Sequence, residues 1–89
     1  MTESQVTISN QLGLHMRAAG QFVKLAGRFR CRVSLMRNGT AVDGKSIVGV
    51  LTLAAAQGTV LTLRTEGDDE HEALAALKEL IEAKFGESQ

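Results

Sequence analysis

Apolar and polar positions alternate in "QVTIS", residues 5–9, so that Val6 and Ile8 share one face of a short first strand. After "NQLGLH", a loop by its Asn and Gly, the period changes. Ala19, Phe22, Val23 and Ala26 follow the i, i+3, i+4, i+7 stripe of an amphipathic helix over Met16–Ala26. Gly27 is the expected stop, because glycine takes the left-handed conformation that closes helices. Gly20, inside the helix, costs ~1 kcal/mol relative to alanine; it leaves room for tight packing or for close approach of a partner. Alternation returns in "CRVSL", residues 31–35, with Cys31, Val33 and Leu35 on one side. Asn38-Gly39 then signals a type I′ hairpin, whose two central residues need positive φ. "TAVD" is the returning strand.

Ser46 precedes an apolar run and reads as the N-cap of a short helix from about Ile47 to Leu53, leaving Ile47, Val48 and Val50 or Leu51 partly exposed. "TVLTLRT" is the last strand, Leu61 and Leu63 alternating with Thr62 and Arg64. Ala73, Leu74, Leu77, Leu80, Ile81 and Phe85 keep helical spacing over about four turns, ended by Gly86. Asp69 and Glu72 resemble a capping box at its start. The order is β-α-β-β-α-β-α. Short amphipathic helices cannot bury their stripes alone, so an open-faced two-layer α/β sandwich follows, three helices on one face of a four-stranded antiparallel sheet. The other face should be polar, as Thr, Ser and Arg at alternate strand positions suggest.

Eighty-nine residues make one domain at most, expected to span 1–89. The core must be aliphatic, since Phe22, Phe29 and Phe85 are the only aromatics. A formal net charge of zero argues against nucleic acid as a partner. The charge is nevertheless uneven: Arg17, Lys24, Arg28, Arg30, Arg32, Arg37 and Lys45 lie in the first half, whereas residues 66–72 are mostly acidic. One cysteine, Cys31, allows no intramolecular disulfide and no thiolate metal cage, and reads as a small strand residue. No stretch reaches the ~20 apolar residues of a membrane span, and "MTESQVTISN" lacks the pattern of a signal peptide. A reduced, cytoplasmic setting is expected.

The chemistry concentrates in "LGLHMRAAG", residues 12–20. If His15 is the N-cap of the first long helix, its ring lies beside backbone N–H groups that have no internal acceptor. Their partial positive charge favours an anion there and disfavours imidazolium. Arg17 adds a guanidinium fork within reach of an oxyanion on the ring. Such a set could accept a phosphoryl group, but with no adjacent metal ligands or second acid or base it is not a complete enzyme. On the His-x-Arg spacing alone, a plain cap and a solvated charge are the commoner reading. His71, among acids, reads as part of a solvated face; two histidines make a poor metal site, so neither metal nor cofactor is expected. Ser46 has two readings as well. As a cap it contributes about 1 kcal/mol; phosphorylated, it would put a strong anion on a helix N-terminus beside an apolar patch.

"GLHMRAAGQFVKLA" and the run from "NGTAVDGKSIVGV" to "DDEHEAL" closely resemble the HPr family, the histidine-containing phosphocarriers of the bacterial sugar phosphotransferase system, over about Val6–Ile81. The resemblance implies that His15 accepts a phosphoryl group from phosphorylated enzyme I, charged by phosphoenolpyruvate, and passes it to IIA components of sugar permeases. Arg17 would neutralise the phosphoryl oxygens. Ser46 would match the site of the HPr kinase/phosphorylase, with a catabolite regulator as a further partner. Met16, Gly20, Ile47, Val48 and Leu51 would belong to an apolar docking patch, rimmed by Lys24 and Arg28, and the early basic bias would steer acidic partners to it. Ala18 stands where the family usually has proline and restores a backbone N–H. Met16 and Gly20 replace residues that are commonly alanine, and Gly27 replaces a usual basic residue.

The expected product is a monomeric phosphocarrier, not an enzyme, with no nucleic-acid or membrane partner. Three other readings stand beside it. The first is a regulatory module controlled mainly through Ser46, and the second is a carrier of the nitrogen branch, against which the Gly-Lys-Ser-Ile run leans. The third, a small-ligand module of ACT or ferredoxin-like type, leaves the extra helix and both motifs unexplained.

Overall fold

The computed structural model describes residues 1–89. In chain order it contains β1 (Thr2–Thr7), α1 (Met16–Ala26), β2 (Arg32–Arg37), β3 (Thr40–Asp43), α2 (Ile47–Thr52), β4 (Val60–Glu66), α3 (Glu70–Glu82) and a single 3-10 turn, Lys84–Gly86. The sheet order is β1-β4-β2-β3, so the last strand is inserted between the first two. β4 pairs antiparallel with both neighbours, Thr2↔Thr65 to Thr7↔Val60 on one side and Arg32↔Glu66 to Met36↔Thr62 on the other. β1 and β2 are therefore parallel to each other, and α1 makes the crossover between them. The result is the open-faced α+β sandwich that the hydrophobic pattern predicts.

One face of the sheet is buried under the helices. Val33, Leu35, Leu61 and Leu63 meet Ala18, Ala19, Phe22 and Ala26 of α1, Val50 of α2, and Ala73, Leu77 and Ile81 of α3 in one continuous cluster. The other face carries Glu3, Arg64 and Ser34 in register, and Arg64 Nε donates to Glu3 Oε2 at 2.9 Å. Thr65, at the end of the buried alternation, is wholly enclosed, and its hydroxyl donates to the Glu70 carbonyl at 2.7 Å. No helix is long and apolar enough to cross a membrane.

Several boundaries differ from the sequence expectation, each for a physical reason. β1 starts earlier, at Thr2, because β4 offers ladder partners to the polar residues Thr2, Glu3 and Ser4. Ile8 lies beyond its end but stays fully buried, its N–H donating to Thr59 O at 2.9 Å. β2 runs on through Met36 and Arg37 to the hairpin, while Cys31 precedes it. Asn38 and Gly39 have φ of 50° and 83°, the two positive values of a type I′ turn. Gly27 ends α1, but at φ −66° it is right-handed. α2 comprises Ile47–Thr52, and Val50 faces the core rather than solvent. Arg37 Nη1 donates to Leu53 O at 2.7 Å and Ala54 O at 3.1 Å, occupying carbonyls at the end of α2.

The largest corrections concern the last helix. Asp69 makes no side-chain cap for α3. Its carboxylate instead accepts the N–H groups of Arg30 and Cys31, each at 2.9 Å, and so ties the α1–β2 connection to the start of α3. The Arg30 N–H, opposed by desolvation and reinforced by Cys31, holds the Asp69 carboxyl below its ordinary 3.8. Phe85 is not in α3, which stops at Glu82. Lys84 and Phe85 both take positive φ, 58° and 56°, reversing the chain so that the Phe85 ring is buried in the core. A left-handed conformation costs a non-glycine residue ~1–2 kcal/mol, and burial of the ring offsets it.

Two outcomes are expected. Phe85→Ala, by emptying a buried aromatic site, lowers stability by ~3–5 kcal/mol in denaturant melts. A folded-state carboxyl shifted down contributes stability that is complete above its unfolded value and lost as pH falls through the folded value. The stability advantage of wild type over Asp69→Asn should therefore shrink as pH drops below about 3.8. Urea midpoints compared from neutral to strongly acidic pH measure this, and an advantage independent of pH would contradict it.

Candidate functional site

The loop before α1 is fixed from below. Gly13 has φ +73°, and a Cβ there would lie 2.8 Å from Ala55 O, so glycine is required twice over. This close approach lets Leu14 N donate to Ala55 O at 2.8 Å while the Leu14 side chain is buried. His15 follows in extended conformation, φ −77° and ψ 178°, as the N-cap of α1. Its carbonyl accepts Ala19 N–H at 2.8 Å, and Nδ1 accepts Arg17 N–H at 3.2 Å. The imidazole thus does what Ser, Thr, Asp or Asn does at most helix starts. The amides of Met16 and Ala18 have no acceptor in the chain.

Because Nδ1 accepts, the hydrogen-bond network assigns the ring proton to Nε2. Nε2 donates to Glu87 Oε2, across 72 positions of sequence. The other carboxylate oxygen accepts Asn10 Nδ2–H at 2.9 Å, and the same Nδ2 donates to Gly13 O at 2.8 Å. Asn10 is wholly buried, and its Oδ1 is a buried polar side-chain atom with no hydrogen-bond partner. Two side-chain hydrogen bonds, that of His15 first and Asn10 second, hold the Glu87 carboxyl below its ordinary 4.5. Glu87 is therefore a carboxylate at neutral pH.

Arg17 is exposed, and its guanidinium enters no hydrogen bond or ion pair. It borders a shallow hollow with Gln11, Leu12, Glu87, Ser88 and Gln89, closed on one side where Gln11 N–H donates to Gln89 O. An unprotonated ring nitrogen, a free fork and open amides thus converge at the start of one helix. The arrangement suits a transferable anion on Nδ1; it includes no second base for that nitrogen.

The remaining candidates divide. Met16 and Val48 are each 69% exposed and Ile47 39%, forming with Gly20 an apolar surface where α1 meets α2. A Cβ on Gly20 would lie 3.7 Å from Ile47 Cδ1, an ordinary contact, so Gly20 is needed neither for packing nor for backbone conformation. Leu51 is half-buried against the core. Lys24 is exposed on α1, 7 positions after Arg17 and so on its face of the helix, and Arg28 is exposed in the turn just after the helix ends. Two other early basic residues are engaged internally: Arg37 at the end of α2, and Lys45, whose Nζ donates to Phe29 O at 2.6 Å. Both keep their charge, but their donors are committed to backbone carbonyls and not free to meet a partner. Ser46 caps α2, its Oγ accepting Gly49 N–H at 3.1 Å, and no hydrogen bond links it to His15. Cys31 is buried, and burial first, then Asp69, pushes its thiol above the ordinary 9.0, as befits a packing residue. His71 is exposed at the start of α3. No group of three metal-ligating side chains forms anywhere.

Asn10 and Glu87 are the site residues that sequence reasoning does not find. No spacing rule links positions so far apart, and Glu87 follows the glycine at which the last helix should end.

Comparison with known proteins places these residues in context. The PTS-HPr family model, described as the PTS HPr component phosphorylation site, matches residues 2–83. The phosphocarrier protein HPr of Pseudomonas aeruginosa is 53% identical, and that of Cupriavidus necator 49%, each with all of both chains covered. Among solved structures, HPr from Thermoanaerobacter tengcongensis superposes with a TM-score of 0.96 at 44% identity over the whole of both chains.

Since nothing obstructs a methyl group at position 20, Gly20→Ala should raise stability by up to ~1 kcal/mol through helix propensity. A denaturant midpoint below that of wild type would show a constraint at this position that the packing does not reveal.

Proposed function

The chain belongs to the HPr family of phosphocarrier proteins, and from that premise we propose that His15 is its phosphoryl acceptor, loaded through Nδ1 by phosphorylated enzyme I and unloaded onto a histidine of a IIA sugar-permease component. The observation that carries this reading is the imidazole as helix cap, with its unprotonated nitrogen turned toward the amides of α1. A phosphoryl group on Nδ1 takes over the Arg17 N–H that the ring now accepts, and gains the open amide of Ala18 in place of the family's usual proline. The Arg17 guanidinium, unpaired in the free protein, closes on the phosphoryl oxygens. The chain is a carrier and not a catalyst; metal ion and remaining electrostatics come from the partner enzymes.

Met16, Gly20, Ile47, Val48 and Leu51 form the docking surface of this single domain, with Lys24 and Arg28 attracting acidic partners to its rim. Ser46 is a second phosphorylation site, addressed by HPr kinase/phosphorylase and read by a catabolite regulator. A phosphate there stands beside Ile47 and Val48, so its charge falls on the same docking surface. The protein works as a monomer in the cytoplasm, in the sugar branch of the system, without nucleic-acid partners.

Incubation with enzyme I, Mg²⁺ and phosphoenolpyruvate, followed by intact mass, is the direct test. One acid-labile phosphoryl group is expected on wild type and none on His15→Ala. Arg17→Ala should load about 10- to 100-fold more slowly, the range for one lost charge-assisted hydrogen bond. Equal loading of His15→Ala, or none of wild type by a competent enzyme I, overturns the assignment.

A further inference from the structure

We propose that Asn10 and Glu87 are positioning residues for phosphoryl transfer: Asn10 presents the Glu87 carboxylate to the Nε2 proton of His15, which leaves Nδ1 as the reacting nitrogen and balances the charge of the phosphorylated ring. The proposal rests on the reading of His15 as phosphoryl acceptor, but its geometry is independent of that reading.

The arrangement is built rather than incidental. Asn10 Nδ2 holds two acceptors at once, Gly13 O in the His15 loop and Glu87 Oε1, at 2.8 and 2.9 Å. Turning the amide over would aim Oδ1 at a carbonyl and a carboxylate, so the orientation is dictated by its neighbours. The consequence is an Oδ1 that is buried and unpartnered. Glu87 is delivered by the reversal at Lys84 and Phe85, both left-handed, with Glu87 N donating to Lys84 O at 2.9 Å. The carboxylate engages Nε2, and so lies away from Nδ1 and from the amides that would hold a phosphoryl group.

The chemistry follows from that placement. As His15 is loaded, the Nδ1 lone pair forms the N–P bond while the donor's bond to phosphorus breaks and its electron pair departs with the donor. The Nε2 proton stays on the ring, which becomes a phosphoryl imidazolium. Glu87, already hydrogen-bonded to that proton, offsets the new positive charge without reorganisation. On unloading, the acceptor's lone pair forms the new bond and the N–P pair returns to Nδ1. Because Nε2 is still protonated, the departing ring is neutral imidazole, a better leaving group than its anion. A carboxylate that orients a metal-bound or catalytic histidine through its second nitrogen acts by the same physics.

Glu87→Ala and Glu87→Gln test this without disturbing the core, since the Glu87 side chain, 11% exposed, lies against His15 and Asn10 and outside the hydrophobic cluster. In ¹⁵N-labelled, unphosphorylated protein, the Nε2 proton should give a resonance protected from solvent exchange in wild type. It should vanish in Glu87→Ala and persist in Glu87→Gln, which keeps an acceptor. Phosphoryl transfer from enzyme I should slow about tenfold in Glu87→Ala, as for the loss of an outer partner of a functional histidine, and by less in Glu87→Gln. An Nε2 proton resonance unchanged in Glu87→Ala, or wild-type transfer by that variant, overturns the positioning role and leaves His15 as acceptor. Failure of wild type itself to load removes the acceptor reading and this inference together, whereas the proton resonance still reports the contact.

Discussion

The first turn of α1 presents N–H groups that no carbonyl of the helix can reach, and something must answer them. An oxygen side chain usually does so and remains there. Here the answer is an imidazole nitrogen, held at a long 3.2 Å from Arg17 N. With the cap as the proposed phosphoryl acceptor, the anion it would carry arrives where the helix already favours negative charge. The surrounding loop serves this one placement: Gly13 admits the close approach to Ala55, Leu14 anchors the chain in the core, and His15 emerges extended.

The three α-helices begin in three different ways. Ser46 caps α2 locally. His15 caps α1 through a group that is free to change partners. Asp69 leaves α3 without a side-chain cap and uses both carboxylate oxygens on Arg30 and Cys31. The last case explains a failure of sequence reasoning, since an acid before a helix with Glu three places on looks the same whether it caps or bridges. A bridge across 38 positions depends on β4 being inserted between β1 and β2, which brings the end of β4 beside the start of β2.

Patterns repeating every two or 3.6 residues were legible, and so were the fold, the Asn38-Gly39 turn, the Ser46 cap and the His15 cap. Each is a local rule, satisfied within about one turn of chain. The misjudged features are those decided by distant neighbours. Phe85 fits the helical stripe in sequence, yet the core recruits it from outside the helix by reversing Lys84 and Phe85. Gly27 stops α1 without needing left-handed geometry. Arg37 and Lys45 count as surface charge in composition but donate to backbone carbonyls in the fold. Asn10 and Glu87 could not be read at all, because the contact exists only once strand order, α3 and the turn after it are in place.

A carrier faces a limit that an enzyme does not. It must hold the group firmly enough to be loaded, yet release it to the next acceptor. Each charge-assisted hydrogen bond made only to the phosphoryl group is worth ~1.5–3 kcal/mol, and every 1.4 kcal/mol is a factor of ten in the loading equilibrium. Two or three such donors in a closed site would trap the group on the ring. The site avoids this by its economy of permanent contacts: one guanidinium with no fixed partner, exposed to solvent and screened, and amides that the ring itself partly occupies. Loading at His15, as proposed, would exchange one cap acceptor for another rather than add a new set of bonds. The Glu87 carboxylate fits the same limit, because its contact with Nε2 exists before loading and can persist after it, favouring the protonated ring from which the phosphoryl group leaves most readily.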